Sequence, residues 1–427
     1  MINLFNYLFP VQRFSDFDSQ TLSHNLRMHL SDGVLFFFGM SMISMQTVIP
    51  VFIEQAGGTA VAIAAVQALS IIGMNLPQLL VINSGFNPPK LLPLILRYSG
   101  LYRLMFLVIG IYAFIIPLFS PDTAVFILAV LIISPAILGS LAGPLWFHLM
   151  FLTTPVNLRG RLMGVRQFIG ALLGVIGGYV VKLILDGLPF PVNFGTIFLI
   201  AFVFLLGSYL FLMNVKEPDR IIEAGQTTVI RLKERIGSVL KQDKNFRNYL
   251  IADFLSLMSF TSTSFFAVYG IAKFGLKPGT AGAYTMVMMA TMSAANIVFG
   301  IIADRYGHKV NIQILTIAAF LSVVTALTAP SAFLFGIVFV FTALILAIQG
   351  ISRMSFLAEL CEEKERIAYI GILNSVTAPA LLFGLLSGLL INYWGYEIVF
   401  VIDGICSAAA LLIITRFVVN PRKIRAD

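Results

Sequence analysis

The stretch from Gly279 to Lys309 reads GTAGAYTMVMMATMSAANIVFGIIADRYGHK, and it decides the class of fold. No charged residue occurs between Gly279 and Ala303, whereas Asp304 and Arg305 follow immediately. An apolar run of about 20 residues is long enough to cross the hydrocarbon core of a bilayer as a helix. The stretch therefore predicts a membrane-spanning helix that ends in a charged turn.

The whole chain shares the composition of this stretch. Of its 427 residues, 59% are apolar and 11% are charged, and the mean hydropathy is +0.94. Soluble domains carry about 25% charged residues, so this composition excludes a water-soluble surface. The formal net charge is +8, but the basic residues stand in short segments between apolar runs. This pattern is typical of membrane orientation and argues against a nucleic-acid partner.

Apolar runs long enough to span a bilayer occur twelve times and fall into two sets of six. We predict spans at 31–54, 58–82, 98–119, 123–150, 163–185 and 193–214, and then at 249–272, 279–303, 310–328, 331–358, 367–391 and 396–418. Helices satisfy all their backbone hydrogen bonds internally, as hydrocarbon requires. The sequence thus predicts an all-α polytopic membrane protein, with twelve transmembrane helices in two pseudo-symmetric six-helix bundles. The segment 87–103 fits either a loop or an interfacial helix.

Lysine and arginine residues fix the predicted orientation. If both termini are cytoplasmic, all but four of the 28 Lys and Arg residues fall on inner segments, and the exceptions are Lys182, Lys273, Lys277 and Arg353. An excess of Lys and Arg on cytoplasmic loops is the general rule for helical membrane proteins. We therefore expect a multi-pass protein of the plasma membrane with both termini in the cytoplasm.

The same patterns divide the chain into five regions. They are a cytoplasmic N-terminal segment (1–30), an N-terminal six-helix bundle (31–214), a cytoplasmic linker (215–247), a C-terminal six-helix bundle (248–418) and a cytoplasmic tail (419–427). Within the first region, Met1–Val11 is apolar but too short to span. We interpret it as an amphipathic stretch that lies in the membrane interface.

The two halves of the chain match each other in sequence. A shift of 221 positions aligns Asp32 with Asp253, Gly58-Thr59-Ala60 with Gly279-Thr280-Ala281, and Asn75 with Asn296. A shift of 207 positions aligns Gly143 with Gly350, Arg159 with Arg366, Gly164 with Gly371, and Gly177 with Gly384. Two repeated bundles related by an axis along the membrane normal support alternating access, in which a central site opens first to one side and then to the other.

The charged turn after the eighth span carries a recognisable motif. Gly300-Ile301-Ile302-Ala303-Asp304-Arg305-Tyr306-Gly307-His308-Lys309 resembles the loop signature of the major facilitator superfamily, G-x-x-x-D-R-x-G-R-R/K, with His308 at the first basic position after the glycine. The motif stands between the second and third spans of a half, as that family requires. In the first half its equivalent is degenerate, because Asn83 stands where Asp304 stands.

The resemblance implies a conformational latch at this motif, formed by Gly300, Asp304, Arg305, Gly307 and Lys309. Gly300 would permit close helix approach, and Asp304 would accept hydrogen bonds at the positive N-terminus of a neighbouring helix. The alternative is a charge cluster that only sets topology.

By the family's symmetry, the neighbour of this latch is the fifth span. The implied latch partners are Arg161 and Arg166, at the entry of that span. Farther along the span, Gly170, Gly174 and Gly177-Gly178 resemble the glycine-rich motif of the superfamily's drug antiporters but lack its proline. We interpret these glycines as sites of close helix packing.

Polar residues inside the predicted spans are the candidates for a solute cavity. A charged side chain at a helix centre costs about 2.5–3.5 kcal/mol on insertion scales, so each needs a partner or a function. The cavity candidates are Gln46, Asn75, Asn296, Gln349 and Arg353. For Asn75 and Asn296 the alternative is an interhelical hydrogen bond. For Arg353 the alternative is a structural pair with a carboxylate such as Glu359.

Three acidic residues lie at or within span ends. Asp32 and Asp253 open the first and seventh spans, and we interpret them as caps of inner helix ends. Asp403 lies about two turns into the last span. It is a candidate for proton coupling, with packing or an interfacial position as the alternative.

These observations predict a secondary transporter of a small solute. A membrane enzyme would need clustered His, Cys, Asp or Glu, and the chain has neither H-E-x-x-H nor a phosphate-binding G-x-x-x-x-G-K-[ST] loop. A lipid translocator or a non-transporting membrane receptor on the same fold remains the alternative. We expect no catalytic residues, no cofactor and no metal, with the lipid bilayer as surroundings and the monomer as the functional unit.

Overall fold

A computed structural model of the chain describes residues 9, 18–83, 89–218, 239–361 and 365–420, with the backbone alone for 76–83 and 366–368. Regular structure in these ranges is helical throughout. The α-helices, in chain order, are α1 (Ser19–Met42), α2 (Val48–Gln55), α3 (Ala60–Asn83), α4 (Leu92–Ile115), α5 (Pro121–Thr153), α6 (Val156–Gly187), α7 (Val192–Met213), α8 (Lys244–Ser259), α9 (Phe266–Phe274), α10 (Thr280–Tyr306), α11 (His308–Thr328), α12 (Ala332–Phe335), α13 (Ile337–Leu360), α14 (Arg366–Trp394) and α15 (Tyr396–Arg416).

Each predicted span corresponds to one of these helices or to a consecutive pair. Helix α4 begins at Leu92, so most of the segment 87–103 continues the third span rather than forming a loop. The interfacial stretch Met1–Val11 lies outside the described residues except for Phe9, as do most of the linker and the end of the tail. The degenerate first-half motif after Asn83 also lies outside them.

Among the described helices, nine are long and apolar enough to cross a membrane, and the bent pair α8–α9 would make ten. The two predicted spans that do not qualify are the first two. The first is interrupted between Met42 and Val48, and its inner part carries His29 and Asp32. In the second, the qualifying apolar part is only Ala60–Asn75. The prediction of an all-α polytopic membrane protein is confirmed.

Large apolar side chains remain exposed on the helices, as expected for contact with lipid. Leu118, Phe126, Val203 and Ile301 are each more than 60% exposed. Extensive exposed apolar surface in water would drive aggregation. Hydrocarbon therefore accounts for these side chains better than water does.

The chain forms two compact units. Unit 1 comprises Met1–Ile43 and Leu69–Thr227, and unit 2 comprises Ser44–Ala68 and Thr228–Asp427. Helix α2 and the start of α3 thus group with the second half of the chain. The five-region division of the chain, with bundles at 31–214 and 248–418, stays a prediction.

Unit 1 is organised around α1, which packs against α6 and α7, while α4 packs against α5 and α7. Two glycines of α6 make the contact with α1 close. A side chain at Gly170 would collide with Phe37, and one at Gly177 would collide with Ser41. The predicted close packing is confirmed at these two fifth-span glycines.

Unit 2 is organised around α13 and α15. Helix α13 packs against α10 and α11, and α15 packs against α8 and α11. Phe246, Tyr249 and Phe356 are fully buried between α8, α13 and α14. Helix α2 joins this unit through α9 and α10, and the hydroxyls of Thr47 and Thr285 lie 2.6 Å apart.

The charged turn between α10 and α11 depends on Gly307. This residue has φ 90° and ψ 158° and ends one helix while beginning the next. Residues with a side chain rarely adopt such a conformation. By contrast, a side chain at Gly300 would meet no atom within 4 Å. The close helix approach predicted at Gly300 is therefore not present among the described residues.

We expect Gly307→Ala to lower the free energy of unfolding by about 1–3 kcal/mol, because alanine would be strained at this φ. Gly300→Ala is the matched control in the same motif, and it should leave stability unchanged or raise it by up to about 1 kcal/mol, since alanine favours helix. Unfolding of the purified protein in mixed micelles with increasing dodecyl sulfate measures both. Equal stability of the two variants would contradict the assignment of this turn to Gly307.

Candidate functional site

In unit 2, a carboxylate and a guanidinium meet inside the helices. Arg353 of α13 donates from Nε to both carboxylate oxygens of Asp253, at 3.0 and 3.1 Å, and from Nη2 to Oδ2 at 2.8 Å. Nη2 also lies 3.3 Å from the hydroxyl of Thr377 on α14. The side chains of Arg353 and Asp253 are 16% and 8% exposed, respectively. Such a forked pair satisfies two charges that burial would otherwise make costly.

The surrounding residues hold this pair in place. The Tyr249 hydroxyl, one turn before Asp253 on α8, donates to the backbone oxygen of Arg353 at 3.1 Å. The Tyr249 ring packs edge-on against Phe356, with centroids 4.9 Å apart. Tyr249 thereby connects α8 with α13 next to the ion pair.

The pair opens onto a cleft within unit 2. The enclosed part of this cleft has a volume of about 20 Å³, and the space becomes about 350 Å³ when the open region in front of it is included. Its polar lining consists of Asp253, Ser256, Gln349 and Arg353, and its apolar lining consists of Leu257, Phe260, Ile312, Leu315 and Ile345. A mainly apolar wall with a few convergent polar groups is the usual character of a small-molecule site.

The structure brings together two of the five cavity candidates, Gln349 and Arg353. Asn296 is half-buried on α10 and does not line the cleft. Asn75 is exposed and donates to the backbone oxygen of Ile71 in its own helix at 2.7 Å. Gln46 is half-buried in the interruption between α1 and α2, where its backbone nitrogen lies 3.3 Å from Ser44 Oγ.

Unit 1 contains a second buried cluster, centred on Asp32 of α1. The carboxylate accepts from Arg103 at 3.3 Å, from Arg166 at 3.0 Å and from the Ser208 hydroxyl at 2.7 Å. The side chains of Asp32 and the two arginines are at most 7% exposed. This one carboxylate therefore connects α1 with α4, α6 and α7.

Aromatic rings and polar groups also lie next to this cluster. The guanidinium carbon of Arg166 lies 4.5 Å from the centroid of the Trp146 ring. The imidazole of His29 meets the edge of that ring, with centroids 6.3 Å apart, and its Nε2 lies 2.9 Å from Thr153 Oγ1. In unit 1, the Trp146 ring thus lies in contact with both the Arg166 guanidinium and the His29 imidazole.

One interpretation made from the sequence is wrong. Asp32 and Asp253 do not cap helix ends, because they lie inside α1 and α8 and bind arginine side chains. Arg353 does form a structural pair with a carboxylate, and its partner is Asp253, 100 positions earlier, rather than the example Glu359. The internal repeat contained the missing signal, since it aligns Asp32 with Asp253 as a pair of equivalent acids.

Asp403 has a structural contact that the sequence did not specify. Its Oδ2 accepts from the backbone nitrogen of Ser262 at 2.8 Å and from the Ser262 hydroxyl at 2.5 Å. Ser262 belongs to the 3-10 turn Thr261–Ser264 that separates α8 from α9, where the seventh span bends by 40°. Asp403 itself is completely buried. The last helix therefore supplies an acceptor at the interruption of the seventh span.

The latch motif lies at the end of α10 and the start of α11. Asp304 and Arg305 are exposed, and Lys309 is half-buried. The imidazole Nδ1 of His308 lies 3.1 Å from the Ser352 hydroxyl on α13. Of the predicted latch partners, Arg161 is exposed, whereas Arg166 is buried and bound to Asp32. The latch stays a prediction.

The described residues contain no group of three or more His, Cys, Asp or Glu side chains arranged to hold a metal ion. Cys361 and Cys406 are buried thiols that pack as small apolar residues.

The fold is that of known solute transporters. The chain is similar to the nucleoside transporter NupG, with 16% identity, a TM-score of 0.63, and coverage of 92% of this chain and 98% of that one. It is similar to a D-xylose–proton symporter, with 16% identity, a TM-score of 0.66, and coverage of 93% and 98%. A bacterial homologue of the human lysosomal transporter Spinster, inward-facing and unoccupied, shows 14% identity, a TM-score of 0.63, and coverage of 96% and 94%.

At these identities the likeness is one of fold. Residues 249–426 match the family model of the Major Facilitator Superfamily, and the shared fold extends over nearly the whole chain. This match includes the loop motif from Gly300 to Lys309. No curated protein shows significant sequence similarity to it.

We expect Arg353→Ala to lower the free energy of unfolding by about 3–5 kcal/mol, because it leaves the Asp253 carboxylate buried without its partner. The double variant Asp253→Asn with Arg353→Gln should lose less, since neither buried charge remains. Unfolding by dodecyl sulfate in mixed micelles measures each variant.

Lys182→Ala provides the control for this comparison. Lys182 is 42% exposed and binds Asp186, four residues later, at 2.7 Å, so its removal should cost about 0.5 kcal/mol or less. If Arg353→Ala is no more destabilising than Lys182→Ala, the ion pair does not hold unit 2 together.

Proposed function

We propose that the protein is a secondary active transporter, which moves a small solute by alternating access between two six-helix halves. The fold shared with solute transporters over more than nine tenths of the chain is the observation that carries this proposal. The internal repeat supports it, because two equivalent bundles can adopt two states of similar energy that open to opposite faces.

The cleft of unit 2 supports a solute-binding role. Gln349 offers both donor and acceptor groups, while Arg353 is largely neutralised by Asp253. The apolar wall formed by residues such as Phe260 and Ile345 excludes water from part of the solute. We therefore assign Gln349 and Arg353 to the solute site, and we retain Asn296, Asn75 and Gln46 as candidates elsewhere on its path.

The proposal includes coupling to protons and a latch at the inner surface. One of the similar structures is a D-xylose–proton symporter, and Asp403 is a buried carboxyl group next to the bend of the seventh span. Asp403 is our candidate for the proton-coupling residue. The motif from Gly300 to Lys309 is the candidate latch, with Arg161 as its partner.

We place the protein in the plasma membrane as a monomer with cytoplasmic termini. The distribution of Lys and Arg supports this orientation. The 215–247 linker, with its eight Lys and Arg residues, then joins the halves on the inner side.

The test is solute exchange in proteoliposomes. Nucleosides and D-xylose form the first probe panel, because similar structures are transporters of these solutes. Thermal stabilisation of the protein at several pH values selects among the probes. A selected probe should accumulate when the outside is acidic, and a protonophore should abolish the accumulation. Arg353→Ala should remove the stabilisation by the probe, whereas Lys182→Ala should leave it intact.

A parallel assay with fluorescent phospholipid addresses the alternative of lipid translocation. Movement of labelled lipid between leaflets, without exchange of any solute, would replace the transporter proposal with lipid translocation. Stabilisation by a probe that never crosses the bilayer would favour a receptor.

A further inference from the structure

The cluster around Asp32 contains more buried positive charge than negative charge. Arg103 and Arg166 share this single carboxylate, and an arginine side chain does not lose its proton in a protein. In unit 2, one arginine meets one carboxylate, Arg353 with Asp253. The two equivalent carboxylates, Asp32 and Asp253, thus differ in that Asp32 is paired with one arginine more, which leaves one buried positive charge uncompensated. Such a charge is costly unless a counter-charge joins it.

The two arginines differ in how fully their donors are used. Arg103 donates to the backbone oxygens of Leu205 and Ser99, at 3.1 and 3.2 Å, and to the Ser208 hydroxyl at 2.8 Å. Arg166 donates only from Nη2, to Asp32 at 3.0 Å. Its Nε and Nη1 have no acceptor within the part of the chain that the structure describes, although both atoms are buried. Each guanidinium nitrogen of Arg103 thus has an acceptor, whereas two of the three nitrogens of Arg166 have none among the described residues.

The immediate surroundings leave room for the guanidinium of Arg166 and cover it with an aromatic ring. A side chain at Gly33 would overlap the Arg166 guanidinium, so the glycine makes this position available. The Trp146 ring covers the guanidinium at 4.5 Å and is itself only half-buried. Trp146 is therefore the aromatic side chain that lies between the guanidinium and a partly exposed face of α5.

We propose that Arg166 binds the anionic group of the transported solute, a carboxylate or a phosphate. The inference rests on the transport function proposed above and names its substrate class. Guanidinium groups bind both kinds of anion through charge-assisted hydrogen bonds. The bound anion supplies the counter-charge that the cluster lacks and the acceptor that Nη1 lacks. Trp146 covers the site and moves aside on binding.

Variants of three basic residues distinguish a ligand-binding arginine from a structural one. Arg166→Gln leaves Asp32 paired with Arg103, so the thermal midpoint without ligand should stay the same or rise. Arg103→Gln removes four hydrogen bonds, including the one to Asp32, and the midpoint should fall. Lys182→Gln, with the same loss of charge on the same helix α6, is the matched control. A fall with Arg166→Gln as large as that with Arg103→Gln would overturn the proposal.

Binding is measured with the full chain in nanodiscs of phosphatidylcholine. The probes are inorganic phosphate, succinate and benzoate, with benzamide as the neutral counterpart of benzoate. At least one anion should raise the thermal midpoint where its neutral counterpart does not. Its apparent affinity should fall about tenfold or more in Arg166→Gln and stay unchanged in Lys182→Gln. Absence of stabilisation by every anion would overturn the proposal.

A lipid headgroup carries the same phosphate chemistry, and a second set of nanodiscs separates the two sources. If phosphatidylglycerol stabilises the protein through Arg166 and no soluble anion does, the site belongs to lipid and the solute assignment is overturned.

Exchange of the binding anion across proteoliposomes separates this inference from the proposed function. Binding through Arg166 without exchange would overturn transport and the solute assignment but leave anion binding intact. Exchange of a neutral probe without anion binding would overturn only the inference.

Discussion

A charged side chain surrounded by hydrocarbon must find its partner within the fold, and the arrangement of both units follows from this constraint. Asp32 draws together α1, α4, α6 and α7, through two arginines and one serine hydroxyl. Asp253 draws together α8, α13 and α14, through Arg353 and Thr377. Apolar packing alone is less specific in lipid, because tails and side chains are equally apolar. The buried charges therefore specify which helices meet.

The two halves share a scaffold and differ in the chemistry placed on it. Both begin with an interrupted first helix that carries a buried acid at an equivalent position. In the second half this acid is matched by one arginine at the edge of a cleft. In the first half it is shared by two arginines under a tryptophan ring. A repeated fold thus supplies symmetry, while unequal substitutions supply the chemical asymmetry that a directional or selective process requires.

The sequence predicted those features that depend on local patterns. Apolar runs predicted the helices because nearly every position along a span must be compatible with lipid or with a packed interior. The glycines of α6 predicted close packing because they lack side chains. The partners of Asp32 and Arg353 were not predictable in this way. Arg166 lies 134 positions after Asp32, and Arg353 lies 100 positions after Asp253, so no local spacing reveals either pair. Glu359 is close to Arg353 in the sequence, but closeness in the sequence does not identify the partner of a buried arginine.

The hydrogen bonds between Asp403 and Ser262 make the shape of the seventh span depend on the twelfth span. Where a helix is interrupted, backbone N–H groups lose their usual acceptors, and in hydrocarbon no water replaces them. The Asp403 carboxylate is the acceptor for one such N–H group, that of Ser262. The bend is therefore stabilised by a residue from another helix. The angle at which α9 leaves α8 therefore depends on two distant stretches of the chain, since a residue of the last helix stabilises the bend of the seventh span.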